Sequence, residues 1–194
     1  MTEWWTYGLS DFLMFSPQAY ARLVARYNAA WWPGQGLGVV ATASLFALIS
    51  PRGGRAVLLL LALAWGWVGW AFHWQRYGEI FLGAGWLAGA SALQALLLAG
   101  AAMLPGRRHE IAARRTPAAH ALLALALLFP LLAPLMGRGW NEAEVFGFMP
   151  DPTALATLGA LLAMAGLGTG PRTVLAVIPL LMALLGAATR WVFA

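Results

Sequence analysis

A chain of 194 residues that is 61% hydrophobic and only 10% charged, with a mean hydropathy of +0.72, does not read as a soluble domain. Its formal charge of +5 comes from twelve basic residues, all Arg, gathered in short segments between apolar runs, which points to membrane topology and away from nucleic acid as a partner. The absence of cysteine excludes disulfides, zinc–thiolate sites and thiol chemistry.

The apolar runs are continuous and rich in Leu and Ala, not alternating, which argues against a β-barrel. The expected fold is all-α: a polytopic membrane helical bundle of about six transmembrane helices, with an N-terminal interfacial amphipathic helix, forming one domain over 1–194. The start, Met1-Thr2-Glu3-Trp4-Trp5, has neither the basic region nor the uninterrupted apolar stretch of a signal peptide, so the first true span is expected to act as its own insertion signal.

In chain order, residues 1–32 are too polar to span. Within them, Ser10 to Phe15 is a short apolar piece carrying Asp11. Ser16-Pro17 then reads as an N-cap and a helix-opening proline. The following segment places Tyr20, Leu23, Val24, Tyr27 and Trp31 on one face and Gln18, Arg22 and Arg26 on the other, the pattern of a helix lying in the membrane interface. Spans are predicted over about 33–50, 55–73, 79–103, 118–136, 152–169 and 173–193, each near the ~20 residues that cross a ~30 Å hydrocarbon core. The last two are joined by the turn signal Gly170-Pro171-Arg172.

Loop charge predicts the orientation. Arg52, Arg55, Arg107, Arg108, Arg114, Arg115 and Arg172 share one side with a single acid, Glu110. The other side has Arg22, Arg26, Arg76, Arg138 and Arg190 against Glu3, Asp11, Glu79, Glu142, Glu144 and Asp151. The basic side is expected to be cytoplasmic, in a bacterial cytoplasmic (inner) membrane, with both termini outside. All eleven tryptophans and all four tyrosines then fall on the outer side or in the outer half of a span. A plain aromatic belt would populate both interfaces.

The densest part of that aromatic distribution is 64–80, which holds Trp65, Trp67, Trp70, Trp74 and Tyr77 together with His73 and Arg76. Helical spacing puts Gly66, Trp70, His73 and Tyr77 on one face, flanked by Trp67 and Trp74. Two readings stand side by side: the wall of an outer pocket, or a lipid-facing anchor with His73 near the headgroups. Trp70, His73, Trp74, Tyr77, Glu79, Asp11, Trp140 and Glu142 are the candidate ligand-binding residues, with Glu144 on the same rim. Such groups suit a divalent metal held by His and carboxylates, an organic cation held by aromatic faces, or His–Glu acid–base chemistry. None has a motif of specific spacing. His109 and His120 have no evident partner.

In the third span Gly85 and Gly89 form a G-x-x-x-G pair that predicts close helix approach, and Ser91 and Gln94 are either interhelical glue or a polar path. No charged residue sits mid-span, so a proton relay lacks its usual carboxylate. Asp151 is expected to cap the fifth span, with Pro152 at its first position.

Glu3-Trp4-Trp5-Thr6-Tyr7, Ser10 to Pro17, Trp70-Ala71-Phe72-His73-Trp74-Gln75-Arg76-Tyr77 and Phe146-Gly147-Phe148-Met149-Pro150-Asp151-Pro152-Thr153 resemble, in this order along the chain, a bacterial family of integral membrane proteins with a domain of unknown function. The resemblance implies a multi-span membrane protein and carries over no catalytic or binding residue. The tryptophan content is also similar to that of the tryptophan-rich sensory, translocator-type proteins, but those have five spans and a different motif order.

The leading expectation is a protein that binds or passes a small-molecule ligand through an outer aromatic vestibule. A non-catalytic subunit of a larger membrane assembly is the alternative, as a homo-oligomer or with a partner subunit. A membrane-embedded enzyme using His73 and Glu79 comes third. Beyond the lipid bilayer, the sequence names no partner and no cofactor. Single cysteines at Arg108 and Asn141 test the orientation in intact cells: an impermeant thiol reagent is expected to label position 141 and spare position 108. The reverse pattern would invert the topology.

Overall fold

The computed structural model describes residues 15–48, 53–104 and 116–193, and every regular element among them is helical. Helix α1 (Pro17–Trp31) starts as its sequence predicts: Ser16 Oγ accepts the Ala19 N–H at 3.2 Å and Pro17 opens the first turn. Leu23, Val24 and Tyr27 are buried while Arg22 and Arg26 are exposed. The apolar face is covered by protein. It packs in one cluster with Ala71, Phe72, Tyr77 and Met149, so α1 lies docked across one end of the bundle. Asn28, on the same face, donates to the carbonyls of Asn141 and Ala143 at 2.8 Å each and so ties α1 to the loop before α7.

Helix α2 (Gln35–Leu48) follows, with Gln35 Nε2 donating back to the Asn28 carbonyl at 2.9 Å. Helix α3 (Gly54–Trp67) runs on through π-helical turns over Val68–Trp74 and a 3-10 turn over Tyr77–Glu79. After it come α4 (Ala84–Met103) and α5 (Thr116–Leu128), which continues through Phe129–Leu131 into the short α6 (Leu132–Leu135). The chain ends with α7 (Pro150–Ala163) and α8 (Thr169–Phe193).

Among the described residues, four helical stretches, Gly54–Glu79, Ala84–Met103, Pro117–Leu135 and Thr169–Phe193, are long and apolar enough to cross a membrane. They answer to four of the six predicted spans. The other two predicted spans form helices α2 and α7 of 14 residues each, about 21 Å long at 1.5 Å per residue. The predicted 152–169 span ends early because Met164 leaves the helix with ψ 92° and Gly168 takes a left-handed φ of +69°.

Helix α7 is nevertheless the centre of the bundle. Ten of its fourteen residues are buried, and it packs on α3, α5 and α8. Its small side chains permit this: a Cβ at Gly159 would lie 3.0 Å from the Ala119 carbonyl oxygen of α5. Polar links accompany the packing. Trp65 Nε1 donates to Thr157 Oγ1 at 2.9 Å, and that hydroxyl donates to the Thr153 carbonyl at 2.7 Å. A helix sheathed by neighbours in this way has little lipid to match, so its length is not bound to the bilayer thickness.

The expected close approach at Gly85 and Gly89 is not where the helices meet. A Cβ on either glycine would touch nothing within 4 Å. The tight contact is at Gly69 in the π-helical segment, where a Cβ would lie 3.0 Å from Ser91 Cβ and 3.2 Å from the Ala88 carbonyl oxygen. The G-x-x-x-G spacing is on the right helix but on the face turned away from α3. Gly69→Val is therefore expected to destabilise the protein by about 1–3 kcal/mol through overpacking. Gly89→Val should stay within about 0.5 kcal/mol of the wild type. Thermal unfolding in mild detergent checks the order, and equal losses would refute it.

Candidate functional site

The aromatic stretch after α3 does not keep α-helical spacing. Hydrogen bonding in the π-helical turns reaches one residue further than in an α-helix, so each turn takes an extra residue and the side chains rotate relative to the expected faces. Val68, Gly69, Ala71, Phe72 and His73 are buried, whereas Trp70 and Trp74 are 49% and 68% exposed. The predicted Trp70–His73–Tyr77 face is thereby split. Trp70 meets Trp31 and Trp67 near the surface, at ring-centroid distances of 6.3 and 5.4 Å. His73 and Tyr77 turn inward.

His73 Nδ1 lies 3.0 Å from Ser91 Oγ, and that hydroxyl donates to the Leu87 carbonyl at 2.8 Å. A serine hydroxyl has one proton. With it committed to Leu87, Ser91 accepts from His73, so the hydrogen-bond network assigns the proton to Nδ1 and leaves a lone pair on Nε2. Tyr77 stacks on Phe72 with centroids 5.5 Å apart and meets Tyr20 of α1 edge-on at 6.3 Å.

These side chains form one wall of a cavity of about 230 Å³. Pro17 and Tyr20 of α1, Leu87 of α4, Arg138 after α6, Glu144 and Asp151 around the start of α7, and the last turns of α8 complete it. Across from no single motif, it is a meeting point of segments far apart in the chain.

An ionic cluster borders the cavity. Arg190 of α8 donates from Nη2 to Glu144 Oε2 at 2.7 Å and from Nη1 to Asp151 Oδ2, and its guanidinium lies 4.9 Å from the centroid of the Phe129 ring. The local chain path makes this possible. Gly147 adopts φ +76°, its N–H donates to Thr153 Oγ1 at 2.8 Å, and Thr153 donates to the Met149 carbonyl at 2.7 Å. On α8, Gly186 leaves the space that the Asp151 carboxylate occupies, and a Cβ there would overlap it. The expected capping role of Asp151 gives way to this pair: α7 begins at Pro150 after an extended Met149, and Asp151 is its second residue. The first-turn position still favours a negative charge through the helix dipole.

Burial raises both carboxyls, more than Arg190 lowers them, and carries Glu144 up to about 7. Asp151 and Arg138 also act on Glu144, the first raising it and the second lowering it. Tyr20, on α1, is pushed well above the usual phenol range, by burial first and then by the two carboxylates.

Of the residues singled out in the sequence, His73, Tyr77 and Glu144 line the cavity, and so does Asp151, which was expected only as a cap. Glu79 lies in a surface pair with Arg76 at 3.4 Å, and Trp140 is 65% exposed. Glu142 sits in the 3-10 turn Trp140–Glu142 outside the cavity lining. Asp11 and His109 lie outside the described residues. Ser91 is buried beneath His73, while Gln94 donates from Nε2 to the Leu175 carbonyl at 2.9 Å and joins α4 to α8. His120 stacks on Phe46 with centroids 5.8 Å apart. Among the described residues no group of three metal-ligating side chains converges. Arg138, Arg190 and Tyr20 were not among the sequence candidates. The available signal was Arg190, a permanent charge that follows the long uncharged run from Thr173 to Thr189 and needs a buried partner.

The chain belongs to a family of unknown function (DUF6064), whose model matches residues 18–194. No curated protein and no solved structure matches it.

A carboxyl whose folded pKa is raised binds a proton more readily in the folded than in the unfolded protein, so stability falls as pH rises from the ordinary value of 4.5 through about 7 and levels off above. Thermal unfolding in detergent between pH 4.5 and 7.5 is expected to show this decline in the wild type and a flatter profile in Glu144→Gln. The amide keeps an acceptor for Arg190 and removes the titration. Parallel profiles would show that Glu144 does not carry the slope.

Proposed function

We propose that this protein is an inner-membrane binding protein that receives a small molecule from the outer side into the cavity between α1, the π-helical turns and α8. The carrying observation is the cavity itself: aromatic and aliphatic walls with a few fixed polar groups, the usual make-up of a small-molecule site. At about 230 Å³ it is below the ~300–1,000 Å³ range of sites for drug-sized ligands, so the ligand is small. The outer placement is supported by the Arg bias of the opposite loops and by the gathering of tryptophan and tyrosine at this end.

Binding is favoured over passage. Ser91 and Gln94, the candidates for a polar path, direct their hydrogen bonds to Leu87, His73 and α8. Acid–base chemistry by His73 and Glu79 lacks support in the geometry, because Glu79 is held at the surface by Arg76.

Met182 is buried and lines the cavity, so Met182→Trp is expected to fill it, and Thr189→Phe fills it from about two turns further along α8. After incubation with a metabolite extract, native mass spectrometry in mild detergent should find a small molecule on the wild type. The two folded variants should retain less than a tenth of that load. Equal loads on all three proteins would place the binding elsewhere and refute the proposal.

A further inference from the structure

Resting on that reading of the cavity, we infer that the site takes a small organic acid, with its carboxylate on Arg138 and a hydroxyl or N–H group of the same molecule on His73 Nε2. Arg138 follows Gly137, whose φ of +73° ends α6, and its own N–H is anchored on the Ala133 carbonyl at 2.8 Å. The backbone is therefore fixed where the side chain joins the cavity wall. Its guanidinium makes no ion pair or hydrogen bond among the described residues, and Nε is buried. A buried donor without an acceptor is destabilising, the more so when charged, and a ligand carboxylate would relieve this through paired N–H···O bonds.

The neighbouring acids do not fill this role, because Glu144 and Asp151 are both engaged by Arg190. Counting charges shows the consequence. With both carboxyls ionised, the Glu144–Arg190–Asp151 cluster carries one net negative charge, which Arg138 balances. Burial raises both carboxyls, so one proton taken up there leaves the cavity with one net positive charge, matched by a ligand carboxylate. A cationic ligand meets the opposite situation. It would have to displace Arg190 from two carboxylates at once, and Arg190 is tethered to the same wall.

His73 supplies the second contact. Its Nδ1 is turned to Ser91, and Nε2 has no hydrogen bond among the described residues although the side chain lines the cavity. It is therefore an acceptor that selects a ligand donor. Tyr20, Phe72 and Tyr77 provide flat apolar walls for the body between the two polar ends.

Four probes of nearly equal size test the assignment by titration calorimetry on the full chain in mild detergent: benzoate, 4-hydroxybenzoate, 4-hydroxybenzamide and benzamidine. Expected is saturable binding of 4-hydroxybenzoate, several-fold weaker binding of benzoate, at least tenfold weaker binding of 4-hydroxybenzamide, and none of benzamidine. Arg138→Gln should weaken 4-hydroxybenzoate at least tenfold and leave 4-hydroxybenzamide within twofold, while Arg138→Lys should keep part of the preference for the acid. His73→Phe should erase the advantage of 4-hydroxybenzoate over benzoate. Benzamidine as the tightest probe, or an Arg138→Gln variant with an unchanged preference for the acid, would overturn the inference. If Met182→Trp abolishes binding while Arg138→Gln changes nothing, the cavity reading stands and the anion assignment falls. If none of the four probes binds, the acid assignment falls, while the cavity reading stands or falls with the metabolite load on Met182→Trp.

Discussion

Arg190 ties three parts of the chain to one point. Its guanidinium joins the end of α8 to Glu144 in the loop and to Asp151 at the start of α7. Taking three charges out of water carries a large desolvation penalty, and their attraction repays it only with good geometry. The surroundings supply that geometry. Gly186 clears the space for one carboxylate, the left-handed Gly147 turns the loop, and Phe129 lies beside the guanidinium. Removing Arg190 leaves two buried carboxylates without their partner, so the cluster acts less as a source of net stability than as a constraint on register. Only one placement of α7 against α8 satisfies it.

That constraint explains why α7 can be short. A helix of 14 residues does not reach across a bilayer unaided, but α7 is pinned at its start by the ionic cluster and along its length by small-residue contacts and the Trp65–Thr157 bond. Once it is enclosed, its neighbours present the lipid surface. The exposed apolar side chains belong chiefly to the outer helices, for example Leu63 and Leu96 at more than 70% and Leu181 and Leu184 at more than 55% exposure. Such exposure would be untenable in water and is ordinary against acyl chains.

Composition and periodicity were enough to read an all-α membrane bundle, α1 with its cap and apolar face, and four long apolar helices, because those features depend on local spacing. The site was legible only in part. His73 and Tyr77 were found because they sit in an aromatic run, but the same run misled over Trp70, since the π-helical turns shift the faces by a residue that no hydropathy pattern reveals. Asp151 looked like a cap because a cap is a local device. Its actual partner, Arg190, is 39 residues away in sequence (190 less 151) and one span later. The Gly85–Gly89 pair failed for a related reason: spacing identifies a face of a helix but not what lies opposite it.

The remaining question is why a bundle of apolar helices leaves a cavity instead of closing over it. Apolar side chains tend to close gaps, because a void forfeits dispersion contacts on one side. Here the walls are not free to move inward. His73 is held back by Ser91, which is itself tied to Leu87; Tyr77 is held by its stack on Phe72; and the α7–α8 wall is set by the Arg190 pairs. Collapse would have to break one of these and bury its polar atoms without partners, at a cost comparable to the contacts regained. The polar atoms of His73, Glu144, Asp151 and Arg190 that border the cavity are thus among those that hold it open. A structural role and a binding role fall on the same side chains, which is why the two are separated only by substitutions such as Arg138→Gln that alter a group outside those holding contacts.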